Sequence, residues 1–166
     1  MSILGTGFVY TAQYFNPAGK LTWEETIHNR IPQEGIDFVA GLLAATVSPI
    51  TPWYVGVFEN DYTPVISTSA AGLNTVIGET TAYENATRPT WVKVYDDVSR
   101  IDNAASRAEF VFTADKRIYG GFLTSTQAKQ DTSGLILSIA RFTSPRDVEV
   151  GGTLRVLAGV QLVPSV

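Results

Sequence analysis

Five side chains able to do chemistry crowd one stretch, "ETTAYENATRPTW" at 79–91: Glu79, Tyr83, Glu84, Arg88 and Trp91. Two carboxylates beside an aromatic wall are the raw material of a glycosidase, where one acid protonates and the other attacks or activates water. That chemistry needs the carboxylates on opposing sides of a cleft, and closeness in sequence does not supply it. The same residues also describe a fixed corner. Arg88 precedes Pro89, which biases it towards an extended backbone. An extended arginine entering a strand can turn its five donors onto a carboxylate or carbonyls. Glu79 and Glu84 are its nearest candidate partners, with Tyr83 and Trp91 as walls. The structural reading outweighs the catalytic one, because nothing else in the chain supplies an acid–base partner.

The remaining candidates are weak. His28 is the one histidine, no cysteine exists, and no Gly-x-Ser-x-Gly elbow occurs. His28 reads as a strand histidine or a partner contact. "DDVSRID" gathers Asp96, Asp97 and Asp102, but without the alternating oxygens and central glycine of a calcium loop; it reads as a solvated turn between strands. "YGGF" lacks the lysine and following helix of a phosphate loop, and Asn85-Ala86-Thr87 is a chance glycosylation match. Trp53, Tyr54, Tyr62 and Trp91 would stack on sugars if exposed. The expectation is therefore no catalytic residue, no cofactor and no metal.

The elements that must position these residues are mostly strands. The 166 residues fit one domain, with 45% apolar and only 17% charged residues. A net charge of −4 without a basic window argues against nucleic acid. The longest apolar run, "FVAGLLAATV", is too short to span a bilayer, and the N-terminus has no basic region before an apolar core. A soluble chain made in a cytoplasm is expected. Period-two patterning marks 19–28 as an edge strand, spoiled on its apolar face by Glu25. Residues 32–45 are the single helix, with Ile36, Val39, Leu42 and Leu43 as its apolar face. Strands follow at 53–59, 90–95, 106–113, 117–125 with a bulge at its glycine pair, 134–142 in a central position, and 153–163. About eight short strands with turns between them predict an all-β fold, an antiparallel, jelly-roll-like β-sandwich carrying one short helix near 32–45. Two segments lack a pattern: an N-terminal arm at about 1–18 and a long Ser/Thr/Ala/Gly-rich loop at about 60–78.

The order "HN" (28–29), "EGIDFVAGLL" (34–43), "WYVGVFEND" (53–61), "ETTAYENATRPTW" (79–91), "IYGGFLTS" (118–125) and "SPRDVEVGGTLRV" (144–156) resembles a family of small virion proteins of tailed bacteriophages. Gly121 stands where the family favours alanine, and "VGG" where it favours "GD". The resemblance spans about residues 21–160. It implies a capsid decoration or cement protein, bound to the major capsid protein on the outer capsid surface as a dimer or trimer. A tail, baseplate or fibre-attachment component is the related alternative. A carbohydrate-binding module using Trp53 or Trp91 is the alternative of a different class. The expected partners include neither nucleic acid nor membrane.

Overall fold

A computed structural model describes residues 7–162. It is mainly β, with antiparallel sheets and one helix. The elements are β1 (Phe8–Phe15), β2 (Leu21–His28), α1 (Gln33–Leu43), β3 (Tyr54–Phe58), β4 (Val94–Tyr95), β5 (Arg100–Asp102), β6 (Ala108–Val111), β7 (Lys116–Thr124), β8 (Ile136–Val148) and β9 (Thr153–Gln161). The larger sheet has the order β2-β1-β9-β5-β4, with β6 also pairing β9. The smaller runs β3-β7-β8. The arrangement is sandwich-like: Tyr10, Ala12, Tyr14, Leu154, Val156 and Ala158 of one sheet share a core with Val55, Val57, Leu123, Leu137 and Phe142 of the other. Strand order does not add support for the finer expectation of jelly-roll connectivity.

The smaller sheet shows how sequence dictates packing. Gly56 pairs Phe122 and Phe58 pairs Gly120 across β3 and β7. Each phenyl ring lies over the opposite glycine: a Cβ at Gly56 would stand 2.1 Å from the Phe122 ring. "YVGVF" and "YGGFL" are thus two halves of one interlock, in which each glycine clears room for the other strand's ring. The expected bulge in β7 is present between Ile118 and Gly120.

Four expectations need correction. The N-terminal arm is not an arm. Residues 8–15 form β1, bonded to β2 on one side and β9 on the other, with Phe8, Tyr10, Ala12 and Tyr14 buried; residues 1–6 lie outside the described residues. The strand around 134–142 is not central. β7 holds the centre, and β8 is apolar because both its faces are covered, Leu137 and Phe142 by the main core, Ile136 and Ile139 by a second cluster. The helix buries another face: Gly35 and Phe38 point inward, while Ile36, Val39 and Leu43 are exposed. Gly35 sets this orientation, since a Cβ there would stand 2.5 Å from the Leu137 carbonyl oxygen. Finally, 90–95 keeps only Val94–Tyr95 as strand; Thr90 and Trp91 instead latch onto Tyr54 and Trp53.

The 60–78 segment does lack strands, yet it is packed rather than free. A single 3-10 turn, Ala70–Gly72, lies within it. Ala70, Leu73 and Ile77 are buried with Phe58, Phe122, Ile136 and Ile139 in the second cluster. The Glu34 carboxylate fastens this cover by accepting the backbone N–H groups of Ala70 and Ile136.

Candidate functional site

Arg88 is the best-built polar group in the molecule. It is fully buried, and all five of its guanidinium N–H groups have acceptors. Nε donates to Glu79 Oε1 at 2.8 Å and one Nη2 hydrogen to Glu79 Oε2 at 2.7 Å. Nη1 donates to the Thr126 carbonyl at 2.9 Å and to its hydroxyl at 2.7 Å. The second Nη2 hydrogen reaches the Asp131 carbonyl at 3.2 Å. The backbone N–H of Gln130 completes Glu79, donating to Oε2 at 2.7 Å. The guanidinium carbon lies 5.7 Å from the centre of the Phe122 ring, the same ring that covers Gly56.

Backbone bonds explain how the chain delivers these groups. Glu79 N–H donates to Leu73 O and Thr80 N–H to Val57 O, so the end of the 60–78 segment is stitched beside β3. Arg88 N–H donates to Gln127 O, which brings in the loop between β7 and β8. The pair therefore pins the 60–78 cover, the 79–90 segment and the 125–134 loop at one point. A two-pronged, fully bonded pair is the arrangement in which burial of charge is tolerated.

The structure divides the five sequence-predicted residues. Glu79 and Arg88 meet as expected. Tyr83 is buried nearby, its ring edge-on to Phe110 at 4.9 Å. Burial pushes its phenol up, the Glu79 carboxylate adds to this, and the Arg88 charge opposes it. Glu84 is exposed and is not the partner of Arg88. Its segment is held instead by the backbone N–H of Glu84 donating to Val111 O. Trp91 does not wall the pair. It belongs to the main core, donating Nε1–H to Ala158 O at 2.9 Å with Phe8 edge-on at 5.9 Å.

Sequence reasoning missed the other half of the corner: Thr126, Lys129, Gln130 and Asp131. Lys129 places Nζ 3.7 Å from the centre of the Tyr83 ring and donates to the carbonyls of Tyr83 at 2.9 Å and Thr81 at 3.1 Å. Desolvation lowers its pKa, against the pull of Glu79. These residues supply mostly backbone carbonyls and N–H groups, which any residue type carries. Only the Ser/Thr/Asp/Gly composition of "STQAKQDTSG" marks a loop there.

A saturated guanidinium has no donor left for a substrate, and a carboxylate held on both oxygens is poorly placed to move a proton. The arrangement can clamp; it offers no reacting group. The other candidates separate in space. His28 is exposed at the end of β2. Asp96 accepts the N–H groups of Val98, Ser99 and Arg100, which closes the turn between β4 and β5. Among the described residues, no group of three or more His, Asp and Glu side chains gathers as a metal site, and no helix is long and apolar enough to cross a membrane. Trp53 and Trp91 are each only 4% exposed, so neither presents a face to a sugar. No protein-family model, curated protein or solved structure matches this chain.

Proposed function

We propose that the chain is a structural virion protein of a tailed bacteriophage, a decoration or cement protein that contacts the major capsid protein on the outer capsid surface. The observation that carries this reading is where the virion-like motifs fall. Glu34 and Gly35 fasten the helix and the 60–78 cover; "YVGVF" and "YGGFL" form the glycine–phenyl interlock; Glu79 and Arg88 form the buried clamp. These residues sit at joints of the scaffold rather than in an exposed catalytic cleft. Motifs that fall at scaffold joints and hold no free reacting group suit a protein whose work is docking. Low charge suits a surface partly covered by neighbours. Repetition over a lattice turns modest single contacts into durable attachment, and a dimer or trimer would add to this.

The test is co-sedimentation of the purified protein with expanded capsids lacking it, beside a mass-spectrometric count of the chain per purified particle. Attachment and on the order of hundreds of copies are expected for lattice binding. A handful of copies would replace this reading with a tail or baseplate component. No copies would remove the virion reading altogether.

A further inference from the structure

We propose that a trough across the outer face of the six-stranded sheet binds an extended, acidic segment of another polypeptide chain, with a carboxylate of that segment on Arg107. Two hollows make the trough and meet at Ala104. The larger, of about 710 Å³, is polar, walled by Gln13, Asn85, Ser106, Arg107, Glu109 and Arg155. The smaller, of about 310 Å³, is more apolar, with Val9, Leu157 and Val160 in its wall and Thr11 beside them. The charge balance of the larger hollow points to an anion. Arg155 is already paired with Glu109 at 2.7 Å, which leaves Arg107 uncompensated in a chain of net charge −4. Among the described residues Arg107 forms no ion pair, and its Nη1 is occluded from solvent without a hydrogen-bond partner. An incoming carboxylate in the larger hollow, which Arg107 lines, would compensate that charge.

The floor is pre-formed, which spares a ligand the cost of ordering it. The buried Asn103 side chain fills the break between β5 and β6. It donates Nδ2–H to Val156 O at 3.1 Å and Ser106 O at 3.3 Å, and accepts the Ala158 N–H at 2.8 Å. The loop carrying Ala104–Arg107 is therefore tied to β9 by side-chain bonds where ladder bonds are missing. The mixed character selects the ligand class. Neither hollow has an aromatic ring in its wall, so a sugar finds no stacking face. One unpaired cation is too few for a nucleic-acid backbone. An extended peptide, by contrast, offers a carboxylate at one end, apolar side chains at the other and amides between for Gln13, Asn85 and Ser106.

This deepens the docking reading and rests on it only in taking the partner to be a protein. Peptide binding is measured on the isolated chain, so failure of the trough and failure of capsid attachment are separate results. The probes are N-acetyl-Glu-Thr-Val-Thr-Val-amide, its reversed sequence, and both with glutamine in place of glutamate, followed by amide chemical-shift titration. At least one acidic peptide should give saturable shifts confined to the trough's own segments, 9–13, 85–90, 100–109 and 153–161. Binding should weaken at least about five-fold on the change to glutamine or with Arg107→Gln, the loss of one charge-assisted contact. Ala104→Glu, at an exposed position shared by both hollows, should abolish it, and it keeps the test alive if the Arg107 variant does not fold. No saturable shift with either acidic peptide, or equal binding of the glutamine peptides, overturns the proposal. Tighter binding of trigalacturonate to the same amides would transfer the trough to an acidic glycan and also overturn it.

Discussion

Residues 8–15 and 60–78 are held in place by opposite means. β1 is bonded along its length to β2 and β9, and it sends Phe8, Tyr10, Ala12 and Tyr14 into the main core. The 60–78 segment has no ladder. It stays on the outside of the β3-β7-β8 sheet through three apolar side chains, the Glu34 carboxylate at its 3-10 turn, and the Arg88–Glu79 clamp at its end. In the first region the backbone itself is the fastener, so the loss of one side chain leaves the ladder in place. In the second the fasteners are individual side chains, and each can be removed alone. The difference teaches that an irregular segment can be as firmly placed as a strand, but its stability is concentrated in a few positions.

The largest expected effect breaks the first region. Deleting residues 1–18 removes an interior strand and four core side chains, more than the usual margin of about 5–15 kcal/mol can absorb. The truncated chain is expected to lose its cooperative melt by circular dichroism. A truncated chain that melts like the parent would mean the β1 ladder is dispensable, and the comparison would fail.

Next comes the clamp. Arg88→Ala leaves Glu79 buried without its partner, a loss of about 3–5 kcal/mol. Urea unfolding should show it, and limited proteolysis should find new cuts in 60–90 and 125–134 before the rest of the chain opens. Cuts spread evenly over the molecule would show that the clamp is not local to the cover. Leu73→Ala should cost about 2–5 kcal/mol, because Leu73 is fully buried under a segment with no ladder to resist opening. Hydrogen exchange should then rise in 60–78 while the amides of β1 keep their protection. A parallel rise in both would merge the two regions into one unit.

The smallest effect lies at a tie outside both regions, and it serves as a control. Glu25 on β2 accepts from the Thr143 hydroxyl and backbone N–H and from Arg146, whose guanidinium lies 5.1 Å from the Trp23 ring centre. Burial pushes the carboxyl up, but these bonds outweigh it and hold the pKa below its ordinary 4.5. A carboxyl lowered in the fold contributes stability that is complete above about pH 4.5 and drains as pH falls through the folded value. Glu25→Gln should therefore cost about 1 kcal/mol or less at neutral pH and flatten the stability profile below pH 4.5. An unchanged acid limb would show that Glu25 is not one of the groups that set it.

Much of the β framework is legible in the chain. The alternation Ala108, Phe110, Phe112 against Arg107, Glu109 and Val111 is borne out residue by residue, as are the edge position of β2 and the β7 bulge. The alternation of "FVYTAQYF" is also there to be read, but its polar and aromatic mixture and terminal position disguise an interior strand. Glu25 is less a flaw in an apolar face than the anchor of an inter-sheet tie, a role that depends on Thr143 and Arg146 more than a hundred positions away.

What the sequence determines by itself is whatever depends on neighbours along the chain: period-two strands, the helix start at Pro32, the glycine-marked bulge, and a nearby glutamate, Glu79 or Glu84, as the partner of Arg88. What only the tertiary structure decided is whatever depends on which surfaces meet. It chose Gly35 and Phe38 over Ile36 and Val39 as the helix's inner face, because β8 carbonyls approach too closely for any side chain at 35. It drew Trp91 into the core and left Glu84 in solvent. It filled the remaining valences of Arg88 from Thr126 and Asp131, residues whose contribution is largely main chain. Main-chain donors and acceptors are common to every residue type, so they leave no trace in a sequence until folding brings them together.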